Sequence, residues 1–298
     1  MYVRFAVLLP AIAFVGCAAS TEAADNPAPI ASAAEWTAQC EDWDEWEKPA
    51  PPFRIHADTY YVGTCGITAI LVTSTEGHVL IDSGMEGAAP EVLQNIRDAG
   101  FDPAEIRYLL HSHEHFDHTG GHAAIKAATG ARVVASEAAA LVIGTGQDHP
   151  DDPQHGMHEP MRAVNVDRVI LDGETVEVGG KTLTAIATPG HTPGALSWQW
   201  QSCEGDTCLS IVYADSLSPI SSDGYAFSDH PEYTGAFRQG LGKLAALDCD
   251  IVLTPHPSAS DMVARLKGEA PLVDSDGCRK YADAIGKRLD ERLTKEAQ

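Results

Sequence analysis

The sequence predicts a layered α/β fold, with sheets packed inside and helices outside. Short apolar strands alternate with helix patterns between residues 66 and 135, and strands followed by a terminal helix resume after residue 167. This order is typical of α/β layers. The chain has 298 residues, 44% of them hydrophobic, so it can bury a substantial core in one large domain or two closely fused halves.

The elements of the first half follow from the hydrophobic pattern and the turn residues. Pro90 favours the first turn of a helix and Gly100 favours its end, because glycine readily adopts the left-handed conformation found there. The predicted elements are two strands between residues 66 and 84, a helix over roughly 88–99, a strand at 106–110, a helix of small residues ending at Gly130, and a strand at 132–135.

The second half begins with a segment that has no apolar period. Residues 144–164 are rich in Gly, Pro, Asp and His, so we expect a long, solvated surface loop. Short strands resume from residue 167, and LSWQWQ and LSIVYA indicate a hairpin around the loop EGDT. A charged amphipathic helix over about 279–296 completes the predicted fold.

The N-terminus predicts export. Residues 1–17 contain one early positive charge, Arg4, and an apolar run too short to span a bilayer, which is the pattern of a signal peptide. The run ends in FVGC, which is similar to a bacterial lipobox, so Cys17 either carries a lipid anchor to the membrane or lies beside an ordinary cleavage site. We expect a periplasmic protein with a linker at 18–35 and one domain at 36–298.

Charge and cysteine content restrict the partners and the compartment. The chain has 20 Lys and Arg against 43 Asp and Glu, which gives a formal charge of −23. A surface with this negative charge repels the phosphates of nucleic acids, which excludes a general nucleic-acid binder. Oligomeric state is not predicted. Without Cys17, six cysteines remain, an even number that favours disulfides in an oxidising compartment. The hairpin brings Cys203 and Cys208 together, while the pattern itself leaves open the pairing of Cys40, Cys65, Cys249 and Cys278.

Four residues in the pattern H-x-H-x-D-H form the strongest chemical motif. His113 and His115 lie two residues apart and can point to the same side of an extended segment, so both can bind one metal ion. Asp117 and His118 come at the turn into the next helix and can face a second site beside the first. Imidazoles with a single carboxylate are a donor set that suits zinc.

Two further histidines lie in proline-stiffened turns at strand ends. His191 is the centre of TPGHTPG, and His256 lies in TPHP. Such turns expose the imidazole on a loop, where catalytic groups collect. Together with H-x-H-x-D-H, these residues are therefore predicted metal ligands.

Six motifs between about residue 53 and the final helix carry a resemblance to a known family. They are IDSG at 81–84, SHEHFDHTGG at 112–121, DGETVEVGG at 172–180, TPGHTPG at 188–194, YADSLS at 213–218 and LTPHP at 253–257. On these motifs the chain resembles the metallo-β-lactamases. SHEHFDHTGG specifies only the superfamily, and the later motifs resemble subclass B3.

The resemblance implies a four-layer αββα sandwich, as a single domain of two similar halves. It also implies two Zn²⁺ ions, one held by His113, His115 and His191 and the other by Asp117, His118 and His256. Ser216 and Ser218 match the positions that bind the substrate carboxylate. By the same resemblance, Cys40 pairs with Cys65 and Cys249 pairs with Cys278.

Two zinc ions beside one ligand carboxylate imply hydrolysis without a serine nucleophile. A water shared by the ions would lose a proton readily. With Asp117 and His118 as catalytic ligands, this hydroxide would attack the β-lactam amide of penicillins, cephalosporins and carbapenems, conferring antibiotic resistance. The preferred class of β-lactam is not predicted.

Asp215 leaves an alternative open. In related thioesterases such as glyoxalase II and in lactonases, G-D-x-L supplies an aspartate that bridges both metals, and ADSL at 214–217 is close to it. A bridging Asp215 would favour an exported hydrolase of lactones or thioesters, and a non-catalytic zinc-binding protein is a further alternative. The S-L-S continuation, the predicted disulfides and export oppose the thioesterase or lactonase alternative. We expect Asp215 and Asp82 to orient ligand histidines, since such histidines normally donate their other N–H to a carboxylate.

The remaining polar candidates receive no metal role. We interpret His111 as a wall or packing residue and give His122 no ligand role. Tyr225 is interpreted as a packing or surface residue in preference to one that faces the reacting carbonyl. His149, His155 and His158 belong to the solvated loop, where they could line the rim of the cleft.

Overall fold

A computed structural model describes residues 1–3 and 30–298. The signal peptide predicted at 1–17 lies outside these residues from Arg4 onward, as do Cys17 and most of the predicted linker. Among the described residues, no helix combines the length and apolar character needed to cross a membrane.

Within residues 30–298, one sheet contains seven strands. They are β1 (Phe53–His56), β2 (Thr59–Tyr61), β3 (Ile70–Val72), β4 (His78–Ile81), β5 (Ile106–Leu110), β6 (Arg132–Ala135) and β7 (Arg168–Val169). Each strand lies beside the next one in the sequence. Strands β1 to β4 pair antiparallel, and β4 to β7 pair parallel, so the parallel part requires crossover connections.

The second sheet has five strands in the described part of the chain. They are β8 (Thr175–Val178), β9 (Lys181–Ala187), β10 (Leu196–Glu204), β11 (Thr207–Tyr213) and β12 (Ile251–Leu253). Strands β8 to β11 form an antiparallel meander, and β12 lies parallel to β11 at the edge. Cys203 and Cys208 are opposite each other in the β10–β11 hairpin, as predicted.

Eight α-helices surround the sheets in the described residues. They are α1 (Ala33–Gln39), α2 (Ala89–Asp98), α3 (Phe116–Thr119), α4 (His122–Thr129), α5 (Glu137–Thr145), α6 (Pro231–Ala245), α7 (Met262–Leu266) and α8 (Gly277–Glu296). Helices α2, α4 and α5 pack against the outer face of the seven-stranded sheet. Helices α6 and α8 pack against the outer face of the five-stranded sheet.

The resulting order of layers is helix, sheet, sheet, helix, which confirms the αββα sandwich. Successive strand residues point to opposite faces, so in β4 Leu80 packs under the helices while Val79 and Ile81 pack between the sheets. The core between the sheets includes the buried Trp198 and Trp200. Burial of each large apolar side chain contributes about 1.5–3 kcal/mol, so this layer is a major source of stability.

Most predicted element bounds agree with the structure. Strands β5 and β6 have the predicted bounds, and α2 and α8 begin and end within two residues of prediction. The helix of small residues is divided into α3 and α4, and the pattern does not predict α5 or α6. Helix α1 starts at Ala33. Ser32 caps α1 and exchanges hydrogen bonds with Glu35, so helical structure begins within the predicted linker.

Three cysteine pairs crosslink the fold. The pairs, with their Cα separations, are Cys40–Cys65 at 5.2 Å, Cys203–Cys208 at 4.0 Å and Cys249–Cys278 at 6.1 Å. The first joins the segment after α1 to the loop before β3. The third joins the segment before β12 to α8. These are the pairs that the hairpin and the resemblance imply.

Candidate metal centre

The predicted ligands lie in loops that follow strands of both sheets. The loop after β5 carries His113 and His115, and the short helix α3 that follows it carries Asp117 and His118. The β9–β10 loop carries His191, and the segment after β12 carries His256. Functional groups commonly gather outside the carboxyl ends of parallel strands. The structure therefore brings the six predicted side chains together at one edge of the sandwich.

His113, His115 and His191 form one potential metal site. Their candidate ligand atoms all lie within 4.8 Å of one another, and all three side chains are buried. The three ring centroids are 4.7–5.0 Å apart. Three imidazoles at this spacing can bind a single ion, as in zinc sites with three protein ligands.

Hydrogen bonds determine which nitrogen of each histidine faces this site. The pairs are His113 Nδ1 with Asp215 Oδ1 at 2.8 Å, His115 Nε2 with Asp152 Oδ2 at 2.8 Å, and His191 Nδ1 with the Ser218 carbonyl oxygen at 2.9 Å. When each of these nitrogens donates its N–H, the opposite ring nitrogen keeps its lone pair for a metal. The arrangement therefore orients all three rings toward a common centre.

A second group of potential ligands lies beside the first. The candidate ligand atoms of His113, Asp117 and His118 also lie within 4.8 Å of one another. Asp117 Oδ2 is 3.0 Å from His118 Nε2 and 3.5 Å from His256 Nε2, and the two imidazole centroids are 5.1 Å apart. The carboxylate is therefore a common neighbour of His118 and His256.

Burial and neighbouring charge set the protonation of these histidines. Burial lowers the pKa of His113 well below its usual range, that of His191 to about 3 and that of His256 to about 4. These imidazoles are therefore neutral near pH 7. His118 differs, because the effect of burial, which lowers its pKa, is outweighed by the carboxylate of Asp117, and its pKa rises to about 10. A metal ion bound to His118 would therefore replace a proton.

A buried ring nitrogen indicates that the site is built for a metal ion. Over residues 30–298, His113 Nε2 has no hydrogen-bond partner, and this side chain is fully buried. Such unsatisfied polar atoms are uncommon in native proteins and call for an explanation. Imidazole nitrogens beside one carboxylate are a donor set for zinc, so the residues fit such an ion.

Asp82 supports the centre from the end of β4. Its carboxylate accepts hydrogen bonds from the amide and hydroxyl of Ser112 and from the hydroxyl of Tyr213, each at 2.7 Å. Its Oδ2 is 3.4 Å from His118 Nδ1. The φ of Asp82 is 62°, a left-handed conformation that is strained for a residue other than glycine. The strained backbone thus holds a carboxylate behind His118.

Asp215 lies behind His113 and follows β11. One oxygen faces His113 Nδ1, and the other accepts the Leu217 amide at 3.0 Å. Both oxygens are therefore engaged on the side of His113 opposite its free nitrogen. Burial raises the pKa of Asp215 to about 8, so its ionised form near pH 7 needs positive charge nearby. This position suits the orientation of a ligand and not a bridge between metals.

A cleft of about 490 Å³ opens above the candidate ligands. His115, Asp117, His191 and His256 line it, together with Ser216 and Ser218. The Tyr281 hydroxyl on α8 donates to the Ser216 carbonyl oxygen at 2.7 Å. Ser216 Oγ is buried and has no hydrogen-bond partner within the described ranges. The predicted substrate serines therefore lie beside the candidate metal ligands.

Trp43 and Trp46 add an aromatic wall to the cleft, which the sequence analysis missed. Their ring centroids lie 6.4 Å and 5.6 Å from that of His256. Trp43 is 71% exposed and Trp46 is 41% exposed. Two tryptophans in the otherwise polar segment EDWDEWEK were an available signal, because exposed aromatic groups often mark binding surfaces.

The prediction that residues 144–164 form a solvated loop is wrong for part of the segment. Asp152 and Gln154 are 4% and 6% exposed, and Gln154 Nε2 lies 3.4 Å from His191 Nε2. His158 lines the cleft, and its ring centroid is 4.9 Å from that of Phe116. Histidines of the site satisfy these polar groups, which is why a segment without an apolar period can still be buried.

The structure places the other polar candidates away from the candidate ligand atoms. The His122 ring nitrogen Nδ1 is 2.7 Å from Ser83 Oγ, and His111 Nε2 accepts the Ser136 amide. Tyr225 stacks on His230 with ring centroids 4.3 Å apart and is not among the cleft-lining residues. His149 and His155 contact each other within their loop.

Glu114, between two predicted ligands, was not singled out by the sequence analysis. It is 1% exposed, and its carboxylate accepts hydrogen bonds from Thr192 Oγ1 at 2.6 Å and from the Gly194 amide at 2.8 Å. Its position in the sequence was an available signal, because a residue between two inward-facing ligands on an extended segment points to the opposite side.

Comparisons with known proteins relate the whole described domain to one group. The family model described as metallo-beta-lactamase superfamily matches residues 62–204. The structure is similar to MIM-2 metallo-β-lactamase, with 52% identity, a TM-score of 0.86 and coverage of 89% of this chain and 98% of that chain. It is also similar to MEM-A1, a subclass B3 metallo-β-lactamase from a soil metagenome library, with 38% identity, a TM-score of 0.81 and coverage of 85% and 99%.

A curated relative is more distant. Hydroxyacylglutathione hydrolase of Rhodospirillum rubrum is 28% identical over 158 residues, which is 51% of this chain and 54% of the relative. The chain thus spans about half the length of this relative, whereas it covers nearly all of the two solved structures.

Proposed function

The chain belongs to the metallo-β-lactamase superfamily, and from this premise we propose that it is a subclass B3 enzyme that uses two Zn²⁺ ions to hydrolyse β-lactam antibiotics. The observation that carries the proposal is the convergence of six donor side chains, among which the buried His113 Nε2 has no hydrogen-bond partner within residues 30–298.

The proposed ligands form two sites, one for each zinc ion. His113, His115 and His191 would hold one zinc, and Asp117, His118 and His256 would hold the other. When bound, zinc acts as a Lewis acid and lowers the pKa of coordinated water toward about 7. The protein contributes by fixing the rings through the hydrogen bonds described above and by keeping His113, His191 and His256 neutral, with one ring nitrogen unprotonated.

The serines beside the ligands provide a place for the substrate carboxylate. Ser216 Oγ is buried without a partner in the described residues, so a carboxylate oxygen can accept its proton in a hydrogen bond. Tyr281 holds the Ser216 backbone through the carbonyl oxygen, which fixes this donor relative to α8. A bound carboxylate would place the β-lactam ring over the two groups of ligands.

The aromatic wall supplies apolar surface for the rest of the substrate. Trp43 and Trp46 face the same cleft as His256 and the two serines. Burial of apolar area contributes about 25 cal/mol per Å², so substituents packed on these rings gain affinity without touching the ligands. The cleft of about 490 Å³ is within the usual size of small-molecule sites.

The alternative function, hydrolysis of lactones or thioesters, is not favoured. It depends on Asp215 as a bridging ligand, whereas both oxygens of Asp215 are taken up by His113 and Leu217. The thioesterase relative is also matched over only 54% of its length.

Hydrolysis by the purified full chain tests the proposal. We expect turnover of a penicillin, a cephalosporin or a carbapenem, its loss after chelation and its return with zinc. The variant His113→Ala should lose activity, whereas His155→Ala, which changes an exposed histidine in the same chain, should not. Turnover of a lactone or thioester substrate without any β-lactam turnover would contradict the proposed function.

We also propose that the protein is exported to the periplasm. Disulfides persist in oxidising compartments, and the three cysteine pairs support this location. Cell fractionation should find the protein outside the cytoplasm. The mass of the mature N-terminus then separates a lipidated Cys17 from ordinary signal cleavage, and a cytoplasmic protein with an intact N-terminus would contradict export.

A further inference from the structure

We propose that Glu114 is a positioning residue that sets the geometry of the three-histidine metal site by joining its two loops. The inference rests on the metal centre proposed above. His113 and His115 come from the loop after β5, whereas His191 comes from the β9–β10 loop. A metal site made from two loops needs a rigid connection between them, and Glu114 lies where that connection is required.

The two carboxylate oxygens of Glu114 hold separate groups of the His191 loop. Oε2 accepts the Thr192 hydroxyl, and Oε1 accepts the Gly194 amide. These groups are one and three residues after His191, so both hydrogen bonds act beside the ligand. The carboxylate therefore restrains the loop directly after the ligand His191.

The surroundings leave Glu114 little freedom to take another position. A Cβ added at Gly194 would lie 2.7 Å from Glu114 Oε2 and 2.5 Å from the Ala139 backbone nitrogen. The close approach of loop and carboxylate therefore requires glycine. Ser136 Oγ donates to the Gly194 carbonyl oxygen at 2.7 Å, so the same peptide segment is held from α5 as well.

Within residues 30–298, another direct hydrogen bond between these two parts of the chain lies nearer to the sheets. The Leu196 amide donates to the Ser112 carbonyl oxygen at 2.7 Å, where β10 begins. This bond fixes the strand end of the loop, whereas Glu114 holds the groups that follow His191. Loss of the carboxylate would thus affect the distance from His191 to His113 and His115 before it affects the sheet.

Metal binding tests the inference without using a substrate. Co²⁺ would be titrated into the metal-free full-length protein while its visible absorption is recorded, for the wild type, Glu114→Ala, Glu114→Gln and Thr192→Val. Substitution of a residue that supports a metal ligand typically lowers metal affinity about 10–100-fold. We expect a loss of that size for Glu114→Ala at the three-histidine site, with an altered spectrum, and a smaller loss for Thr192→Val.

Glu114→Gln should recover much of the affinity, because its amide oxygen can accept the Gly194 N–H while its NH₂ donates to the Thr192 hydroxyl oxygen. Asp250→Asn is the matched control, since Asp250 accepts the Ser210 amide on β11 and should leave both affinity and spectrum unchanged. Thermal unfolding of each variant checks the fold.

Two outcomes separate the inference from the proposed function. Wild-type affinity and spectrum in a folded Glu114→Ala would overturn the positioning role alone. Absence of Co²⁺ binding by the wild-type protein would overturn the proposed metal centre itself.

Discussion

The replacement Asp215→Asn distinguishes a residue that orients a ligand from one that binds metal. Asp215 receives two hydrogen bonds, from His113 Nδ1 at 2.8 Å and from the Leu217 amide at 3.0 Å. An asparagine offers one acceptor oxygen, and its NH₂ would face the other donor. The variant should therefore lose one hydrogen bond and the negative charge that holds the His113 ring.

The expected magnitude follows from that single lost interaction. A hydrogen bond to a charged group contributes about 1.5–3 kcal/mol, and a change of about 1.4 kcal/mol is tenfold in affinity. Zinc affinity should therefore fall about 10–100-fold, which agrees with the usual effect of changing a partner of a metal-bound histidine. The stoichiometry should remain two zinc ions per chain.

Competition with a chromophoric chelator measures the affinity, and elemental analysis measures the stoichiometry. Asp250→Asn again serves as the control, because it changes a carboxylate that accepts a backbone amide away from the ligands. Unchanged zinc affinity in Asp215→Asn would refute the orienting role. Loss of one zinc ion per chain would indicate that Asp215 is itself a ligand and would restore the alternative function.

Three further predictions concern stability, protons and substrate affinity. Loop-closure entropy predicts that removal of the Cys249–Cys278 pair, with a sequence separation of 29, lowers the free energy of unfolding by about 3.6 kcal/mol. The same argument gives about 2.1 kcal/mol for Cys203–Cys208, with a sequence separation of 5. Urea unfolding of the double serine variants measures both losses, and equal losses would contradict the chain-entropy argument. His118 is protonated in the metal-free protein below about pH 10 and must be neutral to bind metal, so its site should bind zinc more tightly as pH rises from 7 toward 10. Each binding event should release a proton, which calorimetry in buffers of different ionisation enthalpy counts. No proton release at pH 7.5 would contradict the assignment of His118 as a metal ligand. Trp46→Ala should raise KM for a β-lactam with an apolar substituent about 3–10-fold with little change in kcat, since the loss is apolar contact area; an equal fall in kcat would place Trp46 in the chemistry instead.

The sequence predicts a set of candidate ligands that the structure brings together, because their spacing is local. His113 and His115 alternate on an extended segment, and Asp117 and His118 begin the next helix, so short-range geometry nearly determines where they point. His191 and His256 lie in turns whose prolines and glycines are visible in the sequence. The layered fold is predictable for the same reason, since buried strands and helices have distinct hydrophobic periods.

The partners of these ligands are harder to predict because they come from distant parts of the chain. Asp152 contacts His115 from 37 positions away, and its segment has no hydrophobic period to indicate burial. Glu114 is adjacent to the ligands, but its partners Thr192 and Gly194 lie about 80 positions later. Such residues come into contact only when the two sheets pack together, and a local sequence pattern does not predict that contact.

The Cys40–Cys65 pair has a consequence for how the cleft meets its substrate. The closed loop of this pair contains Trp43 and Trp46. Two hydrogen bonds hold the backbone of this loop at the tryptophans. The Trp43 amide donates to Ser258 Oγ, outside the loop, at 2.7 Å, and the Thr64 hydroxyl donates to the Trp46 carbonyl oxygen at 2.5 Å. The entropy of ordering this segment is therefore lost during folding and not during each binding event. A preorganised wall of this kind gains affinity because the substrate does not have to immobilise it.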